Sequence, residues 1–226
     1  MTAAATSAEL PDMRNRLLSA AEFAGAAFIV IGHNVLRILP NEVPILTVIA
    51  LLSAKLAHGG FASLGFRRPT SWRLVIGLVA GFLVVRWSIG LAIEPLTAHI
   101  WPPIRAPKGG DEIVGDWQAA LAALGLVWTF AAFGEEIGYR GYLMTRAAAA
   151  GGGGRAAWMA ALVISGALFG YGHFYKGPAG ILDSGIAGLL LGGVYLASGR
   201  SLWACVLAHG ISDTAAVALT YFGLNS

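Results

Sequence analysis

The chain has 226 residues, of which 57% are hydrophobic and 12% are charged, and its formal net charge is +3 at pH 7. Because soluble domains carry about 25% charged residues, this composition and a mean hydropathy of +0.69 exclude that class and indicate a membrane protein. The basic residues form no tract, so nothing supports a nucleic-acid partner. The single Cys205 excludes an internal disulfide and a thiolate zinc cluster.

Apolar stretches of membrane-span length recur along the chain and predict an all-α, polytopic transmembrane helical bundle. Loops rich in Pro, Gly and charged residues separate about seven spans, within a range of about six to eight. No shift in composition marks a second domain, so we expect residues 1–226 to form a single integral membrane domain. The predicted spans are residues 19–38, 43–60, 74–94, 117–137 or 117–149, 157–174, 179–198 and 202–223.

Polar side chains inside the first three predicted spans have no partner at helical spacing, and we expect none of them to be catalytic. They are His33, Lys55, His58 and Arg86. Lys55 lies near a span end, where a long side chain can reach the interface. Asp183 begins a later span, and we expect its side chain to cap the N-terminus of that helix.

Basic residues outside the spans predict the orientation of the chain. With seven spans, nine of them fall on the side of the N-terminus and four on the other, so we expect a cytoplasmic N-terminus. Because a composition rich in Ala and Gly is typical of bacterial proteins, we expect a bacterial cytoplasmic membrane. The nine are Arg14, Arg16, Arg67, Arg68, Arg73, Arg140, Arg146, Arg155 and Arg200, and the four are Arg37, Arg105, Lys108 and Lys176.

Glycines repeat at four-residue spacing in two of the last spans, as Gly166 with Gly170 and Gly188 with Gly192. Small residues at this spacing let helix backbones approach closely in lipid. The sequence therefore predicts tight packing among the last three spans.

The stretch "EEIGYR" places three ionisable groups in one predicted span, although such groups cost roughly 2.5 kcal/mol or more each at membrane depth. Glu136 and Arg140 share a helix face and can neutralise each other. Glu135 is rotated by about 100° from Glu136 and stays free for another partner. Taken by itself, this motif also fits a helix end that is exposed to water and has no functional role.

Two further clusters follow in the later spans. In "FGYGH", Phe169 precedes His173 by one turn, and in "HGISD", His209 precedes Asp213 by one turn. Alone, the first fits a hydrogen-bonded structural histidine and the second an interfacial cap. Together with "EEIGYR" they favour one polar cavity formed by the last four spans, with a motif-bearing core at residues 117–223.

The position of Glu135 depends on where its helix ends. If the helix continues through "GYLMTRAAAA" to the "GGGG" turn at 151–154, Glu135 precedes the turn by about as many residues as His173 follows it. The two side chains then reach a similar depth. If the helix ends at Glu136, they lie on opposite faces of the membrane. Because the run after Glu136 is rich in helix formers, we predict the longer helix and glutamates buried in the cavity.

The ordered motifs Glu-Glu-x-x-x-Arg, Phe-x-x-x-His and His-x-x-x-Asp resemble those of the CAAX proteases and bacteriocin-processing enzymes, the CPBP or ABI family of intramembrane endopeptidases. The stretch "LGFRRPTSW" before the third span resembles a connector of that family. The motifs cover residues 135 to 213, and the first spans match in hydropathy alone. The resemblance implies a glutamate-dependent peptidase within the membrane.

Residue by residue, the resemblance implies that Glu135 is the general base and that His173 helps to hold and polarise the attacking water. Glu136 and Arg140 would fix the geometry, with Phe169 in a supporting role.

The same resemblance implies that His209 and Asp213 stabilise the oxyanion of the tetrahedral intermediate. An ionised aspartate only accepts hydrogen bonds. Asp213 must therefore be protonated, or it must orient His209 by accepting its ring proton.

A zinc-dependent version of this peptidase stays open. Glu135, His173 and His209 would be the zinc ligands, and Asp213 would contact a ligand and not the metal. The sequence has no His-Glu-x-x-His helix, the usual mark of a zinc peptidase, so we favour the version without a cofactor.

Two other functions compete with proteolysis. A non-catalytic scaffold or immunity protein is represented in the same family, but it has no need for two histidines and a free glutamate in a cavity. A proton-coupled transporter would usually show an inverted internal repeat, which the sequence lacks. The expected partners are membrane lipid and a peptide or lipid-modified protein substrate that enters from the membrane or the cytoplasm.

Overall fold

The computed structural model describes residues 13–101 and 112–224, and within these ranges the chain is helical without a β-strand. The predicted all-α bundle is confirmed. Two short 3₁₀ turns, Phe61–Leu64 and Phe174–Lys176, lie in the connections. The seven helices of the described ranges are α1 Met13–Asn34, α2 Glu42–Ala57, α3 Trp72–Ile100, α4 Trp117–Ala150, α5 Arg155–Tyr171, α6 Gly177–Ala197 and α7 Leu202–Tyr221.

Five of the described helices are long and apolar enough to cross a membrane: α1, α3, α4, α7, and α6 together with the 3₁₀ turn before it. Helix α5 is apolar but has only 17 residues, and α2 has 16. The seven predicted spans thus correspond to the seven helices, two of which are shorter than a typical span. The protein is an integral membrane protein.

Side chains in the loops fix where three of the helices begin. Asn41 accepts a hydrogen bond from the backbone of Val43 at the start of α2, and Ser71 accepts one from Leu74 at the start of α3. Asp116 accepts hydrogen bonds from two backbone N–H groups in the first turn of α4. Each contact satisfies donors that a helix N-terminus leaves without an intrahelical partner.

The helix that carries the two glutamates takes the longer of the predicted courses, since α4 runs from Trp117 to Ala150 without a break. Its middle part, Val127–Met144, is a π-helix with i→i+5 hydrogen bonds. Gly152 and Gly153 then adopt φ values of +90° and +73°, which form the tight turn into α5. As a result α5 returns along α4, and the C-terminal end of α5, with Phe169, lies beside the middle of α4, with Tyr139 and Arg140.

Glycines let α5 and α6 pack closely, as the four-residue spacing predicts. A Cβ built on Gly166 would lie 2.7 Å from the Leu189 side chain, and one on Gly188 would lie 3.1 Å from the Cα of Gly166. On Gly170 it would lie 2.6 Å from the carbonyl oxygen of Ile181. The two backbones are therefore in direct contact.

Gly170→Ala is expected to lower the free energy of unfolding by about 1–3 kcal/mol, because the added methyl group meets a backbone oxygen that cannot turn aside. Gly193→Ala is the matched control, since no atom of a neighbouring helix in the described ranges lies within 4 Å of its Cβ position. Unfolding by denaturant in detergent micelles, followed by tryptophan fluorescence, measures both. Equal stability of the Gly170→Ala protein and the wild type would contradict this close packing.

Asp183 does not cap α6, contrary to the prediction. Helix α6 already begins at Gly177, with a proline in its first turn, and Asp183 lies inside it. Its carboxylate accepts a hydrogen bond of 2.7 Å from Nη2 of Arg86 in α3. Because this ion pair joins residues 97 positions apart, helical spacing could not reveal it.

The two histidines of this set, His33 and His58, also find partners outside their own helix. Nε2 of His58 lies 2.9 Å from the Glu22 carboxylate. His33 donates from Nδ1 to the carbonyl oxygen of Leu39, and its Nε2 lies 3.3 Å from Glu42. Lys55 is exposed. That these groups are not catalytic stays a prediction.

Two of the nine basic residues assigned to the N-terminal side are buried inside the bundle and do not lie at the membrane surface. Arg140 and Arg146 are buried in α4, so nine minus two leaves seven against four. Arg105 and Lys108, on the other side, lie outside the described residues. The N-terminal side therefore still carries more basic residues than the other side. A cytoplasmic N-terminus stays a prediction.

Candidate active site

The buried side chain of Glu136 joins two of the three motifs. Its Oε1 accepts a hydrogen bond of 2.8 Å from Nη1 of Arg140, which confirms the predicted pair, and lies 2.7 Å from Nδ1 of His209. Nη2 of Arg140 donates to the carbonyl oxygen of Gly188 at 3.1 Å. These contacts tie α4 to α6 and α7 in a region where Glu136 and Arg140 are 0% and 1% exposed.

His209 lies between two carboxylates. Nδ1 faces Glu136, and Nε2 lies 3.5 Å from Oδ2 of Asp213 one turn further along α7. Ionised carboxylates only accept hydrogen bonds, so both ring nitrogens are placed as donors. This geometry fits the second alternative for Asp213, in which it orients His209. The contact at Nε2 is at the long limit for a hydrogen bond, whereas the one at Nδ1 is short.

His173 follows the C-terminus of α5 and is half-buried. Its Nδ1 lies 2.9 Å from the carbonyl oxygen of Phe169. Because a carbonyl oxygen only accepts, Nδ1 carries the proton, and Nε2 of the neutral ring keeps its lone pair. His173 therefore offers a hydrogen-bond acceptor, in contrast to His209.

The ring of Phe169 contacts the charged and aromatic groups of all three motifs. It lies 4.9 Å from the ring of His173 and 6.1 Å from that of His209, measured between centroids. The guanidinium of Arg140 lies 4.3 Å above its centre, a cation–π distance, and Tyr139 packs against its edge. Phe169 thus sets the separation of the two imidazoles.

Glu135 contributes a buried carboxylate oxygen without a protein partner. Its side chain lies within electrostatic range of Glu136, Arg140, His209 and Asp213. Among the described residues, none forms a hydrogen bond with its Oε2, although this atom is buried. Buried polar atoms are normally paired with protein or with ordered water. The arrangement therefore suits a carboxylate that binds water.

A cavity of about 110 Å³ lies beside these groups. Since a water molecule occupies about 30 Å³ in the liquid, there is room for several of them. Side chains of two motifs line the cavity: Phe169, His173, His209 and Asp213. The structure thus brings the three predicted motifs together at one place.

Sequence reasoning missed three charged residues that line this cavity: Arg86, Asp183 and Lys176. One signal was available, because an arginine in the middle of an apolar helix is costly and usually pairs or lines a wet cavity. The two tyrosines near Glu135, Tyr139 and Tyr175, were also missed. Tyrosines are common in such helices, and nothing in their spacing distinguishes them.

The arrangement does not fit the zinc set proposed from the sequence. Among the described residues, no three His, Cys, Asp or Glu side chains are placed to hold a metal ion. A zinc-bound imidazole needs a free nitrogen lone pair, but both nitrogens of His209 face carboxylates.

A comparison with protein families matches residues 117–215 to the Rce1-like type II CAAX prenyl endopeptidases. Comparisons with curated proteins and with solved structures gave no match. The matched segment contains α4, α5, α6 and most of α7, and hence all three motifs. The resemblance predicted from the motifs is therefore confirmed over this segment, and the family that it identifies is one of CAAX-type membrane proteases.

Proposed function

We propose that the protein is a glutamate-type intramembrane endopeptidase that hydrolyses a peptide bond with a water activated by Glu135 and His173. The observation that carries this proposal is the buried Oε2 of Glu135, which has no hydrogen-bond partner among the described residues, while its side chain lies within electrostatic range of His209. His173 lines the same cavity as His209. A carboxylate placed in this way can accept a proton from water.

In the first step, the water donates one hydrogen bond to Glu135 and the other to Nε2 of His173. Glu135 takes the proton as the water oxygen forms a bond with the carbonyl carbon of the substrate. The carbonyl oxygen becomes an oxyanion. Glu135 then delivers the proton to the amide nitrogen, and the C–N bond breaks to give an acid and an amine. Glu135 is an anion again at the end of the cycle.

His209 supplies the donor for the oxyanion in this mechanism. Its Nδ1 is held by Glu136, which is fixed in turn by Arg140, so the ring cannot easily rotate. Its Nε2–H faces Asp213 at 3.5 Å, a contact loose enough for an oxyanion to compete. Asp213 acts as the acceptor that keeps this N–H directed to the cavity in the absence of substrate.

His209→Ala is expected to lower kcat by roughly 100-fold to 1,000-fold, the cost of losing one oxyanion donor. Asp213→Asn is expected to stay within about tenfold of the wild type, because an amide can both accept from His209 and donate to the oxyanion. Steady-state cleavage rates of the purified proteins measure both. A larger loss for Asp213→Asn than for His209→Ala would contradict this division of roles.

The alternative, a zinc-dependent peptidase, is tested separately. Elemental analysis of the purified protein and cleavage assays with a chelator should give no stoichiometric zinc and no loss of activity. Stoichiometric zinc whose removal abolishes activity, and whose return restores it, would end the glutamate-only mechanism.

The substrate is proposed to be a peptide or a lipid-modified protein that reaches the cavity from the membrane or the cytoplasm of a bacterial cell. Comparative proteomics of membranes from cells with the intact protein and with Glu135→Ala tests this. New protein termini that occur only with the intact protein identify the substrate class. A cellular phenotype that persists in Glu135→Ala, without any such termini, would favour the silent scaffold instead.

A further inference from the structure

We call the cavity of about 110 Å³ at the candidate site the catalytic cavity. Two larger cavities adjoin it, and together they form what we call the vestibule. One, of about 380 Å³, lies between α3 and α6 and includes Gly90, Trp101 and Gly180. The other, of about 520 Å³, lies between α3 and α7 and includes Trp87 and Val217. Two cations, Arg86 and Lys176, line both parts of the vestibule and also the catalytic cavity. A substrate that passes through either part of the vestibule therefore meets both cations.

Arg86 is held in place but keeps donors for a ligand. Its Nη2 donates to Asp183 at 2.7 Å, and the side chain is 23% exposed. A guanidinium has five N–H groups and no acceptor, so one bond to Asp183 leaves most of its capacity unused. The pair fixes the guanidinium across the gap between α3 and α6.

Lys176 lies three residues after His173 and is exposed. No carboxylate of the described residues lies within 4.0 Å of its ammonium, and its aromatic neighbour is the ring of Tyr175, 5.7 Å away. It is nevertheless close enough to affect His173 and Asp213 electrostatically. Lys176 is thus an uncompensated cation at the mouth of the catalytic cavity.

The carboxylates around the two cations do not remove this excess. Asp183 is paired with Arg86, and Asp213 lies beside His209. Glu94 lines both parts of the vestibule but not the catalytic cavity. Beside the two histidines, Glu136 is paired with Arg140, and Glu135 serves as the proposed base. The charged groups left to bind a substrate are therefore the two cations, which favour an anionic ligand.

We propose that Lys176, with Arg86 beside it, binds a carboxylate of the substrate close to the scissile bond, so that the enzyme selects peptides with an acidic group at that place. This inference rests on the proposed peptidase function. The carboxylate is either an acidic side chain or the carboxyl terminus of the peptide. Both would receive hydrogen bonds from the same two cations.

The test uses the full-length protein in detergent micelles and a library of apolar peptides in which one position is Glu, Gln or Lys. Each peptide is made with a free and with an amidated carboxyl terminus, and cleavage is followed by mass spectrometry. We expect the wild type to prefer carboxylate-bearing peptides by about tenfold in kcat/KM over their amide counterparts, mainly through KM. Loss of the preference on amidation identifies the terminus, and loss on changing Glu to Gln identifies the side chain.

Lys176→Gln should remove this preference, so that the ratio of kcat/KM for carboxylate-bearing peptides to that for their amide counterparts falls to about one. Lys55→Gln is the matched control, because Lys55 is also an exposed lysine but lines none of the three cavities. Asp183→Asn, which leaves Arg86 free to bind the substrate, should keep or increase the preference. This variant also tests the role of Arg86 without replacing Arg86 itself, whose substitution could prevent folding.

If the wild type cleaves Glu and Gln peptides equally and also cleaves free and amidated peptides equally, while Glu135→Gln cleaves none, this inference is overturned and the peptidase stands. The same holds if Lys176→Gln slows all peptides equally. If the wild type cleaves no peptide of the library, the proposed function and the inference both fail.

Discussion

Glu135→Gln is expected to lower peptide cleavage by roughly 100-fold to 10,000-fold, which is the contribution of a positioned general base. Glutamine keeps the size of the side chain and one carbonyl oxygen, but it cannot accept the proton from water. Since Oε2 of Glu135 has no hydrogen-bond partner among the described residues, the substitution breaks no protein contact of that atom. The variant should therefore fold and melt like the wild type. Cleavage rates and melting temperatures of the purified proteins measure both effects.

Glu112→Gln is the matched control for this experiment. Glu112 is an exposed glutamate in the turn before α4, outside the candidate site, so its substitution should change neither cleavage nor stability. Turnover by Glu135→Gln close to the wild-type rate would reject Glu135 as the base. A Glu135→Gln protein that fails to fold would show that this carboxylate has a structural role that its contacts do not reveal.

Arg140→Met is expected to lower the free energy of unfolding by about 3–5 kcal/mol, because removal of one partner leaves a buried charge uncompensated. Glu136 is 0% exposed, and it would lose its 2.8 Å hydrogen bond to Arg140. The cation–π contact with Phe169 and the bond to the Gly188 carbonyl would be lost as well. Denaturant unfolding in micelles gives the magnitude.

The double variant Glu136→Gln/Arg140→Met should recover part of the lost stability, because a neutral amide in place of the carboxylate no longer leaves an unpaired charge. Arg155→Met, at the exposed N-terminus of α5, is the control and should change stability by less than about 0.5 kcal/mol. If Arg140→Met were as stable as this control, the buried pair would not be the link that holds α4, α6 and α7 together.

Hydropathy was sufficient to predict the helices. In lipid, an apolar segment must form its backbone hydrogen bonds within itself, and a helix does this while its apolar faces contact lipid or protein. The end of α3 was predicted too early. The predicted span ended at residue 94, directly before Pro95. The helix instead continues to Ile100, and Thr97 donates from its hydroxyl to the carbonyl oxygens of Ile93 and Glu94 in the turn that contains this proline.

The course of α4 was predictable for a local reason, the run of helix formers that leads to four glycines. Its π-helical middle was not. Sequence spacing was interpreted with α-helical geometry, and a π-helix depends on how the side chains of neighbouring helices pack. The Glu136–Arg140 pair was nevertheless predicted correctly, because residues four apart also lie close together in the π-helix.

Contacts between helices account for what the sequence did not reveal at the site. The bond from His209 to Glu136 joins residues 73 positions apart, and the Arg86–Asp183 pair joins residues 97 apart. Neither follows from the periodicity of a single helix. For Asp183 the local capping rule gave the wrong answer, because α6 begins at Gly177 and Asp183 lies inside it, where its carboxylate pairs with Arg86 of α3.

The measurement that tests this account most directly is an experimental structure of the full chain in a lipid environment, at a resolution that shows ordered water. The mechanism predicts one water within about 2.6–3.2 Å of both the Glu135 carboxylate and Nε2 of His173, in the cavity that His209 also lines. A Glu135 carboxylate that points to lipid, or that binds protein groups with no water between it and His173, would contradict the mechanism.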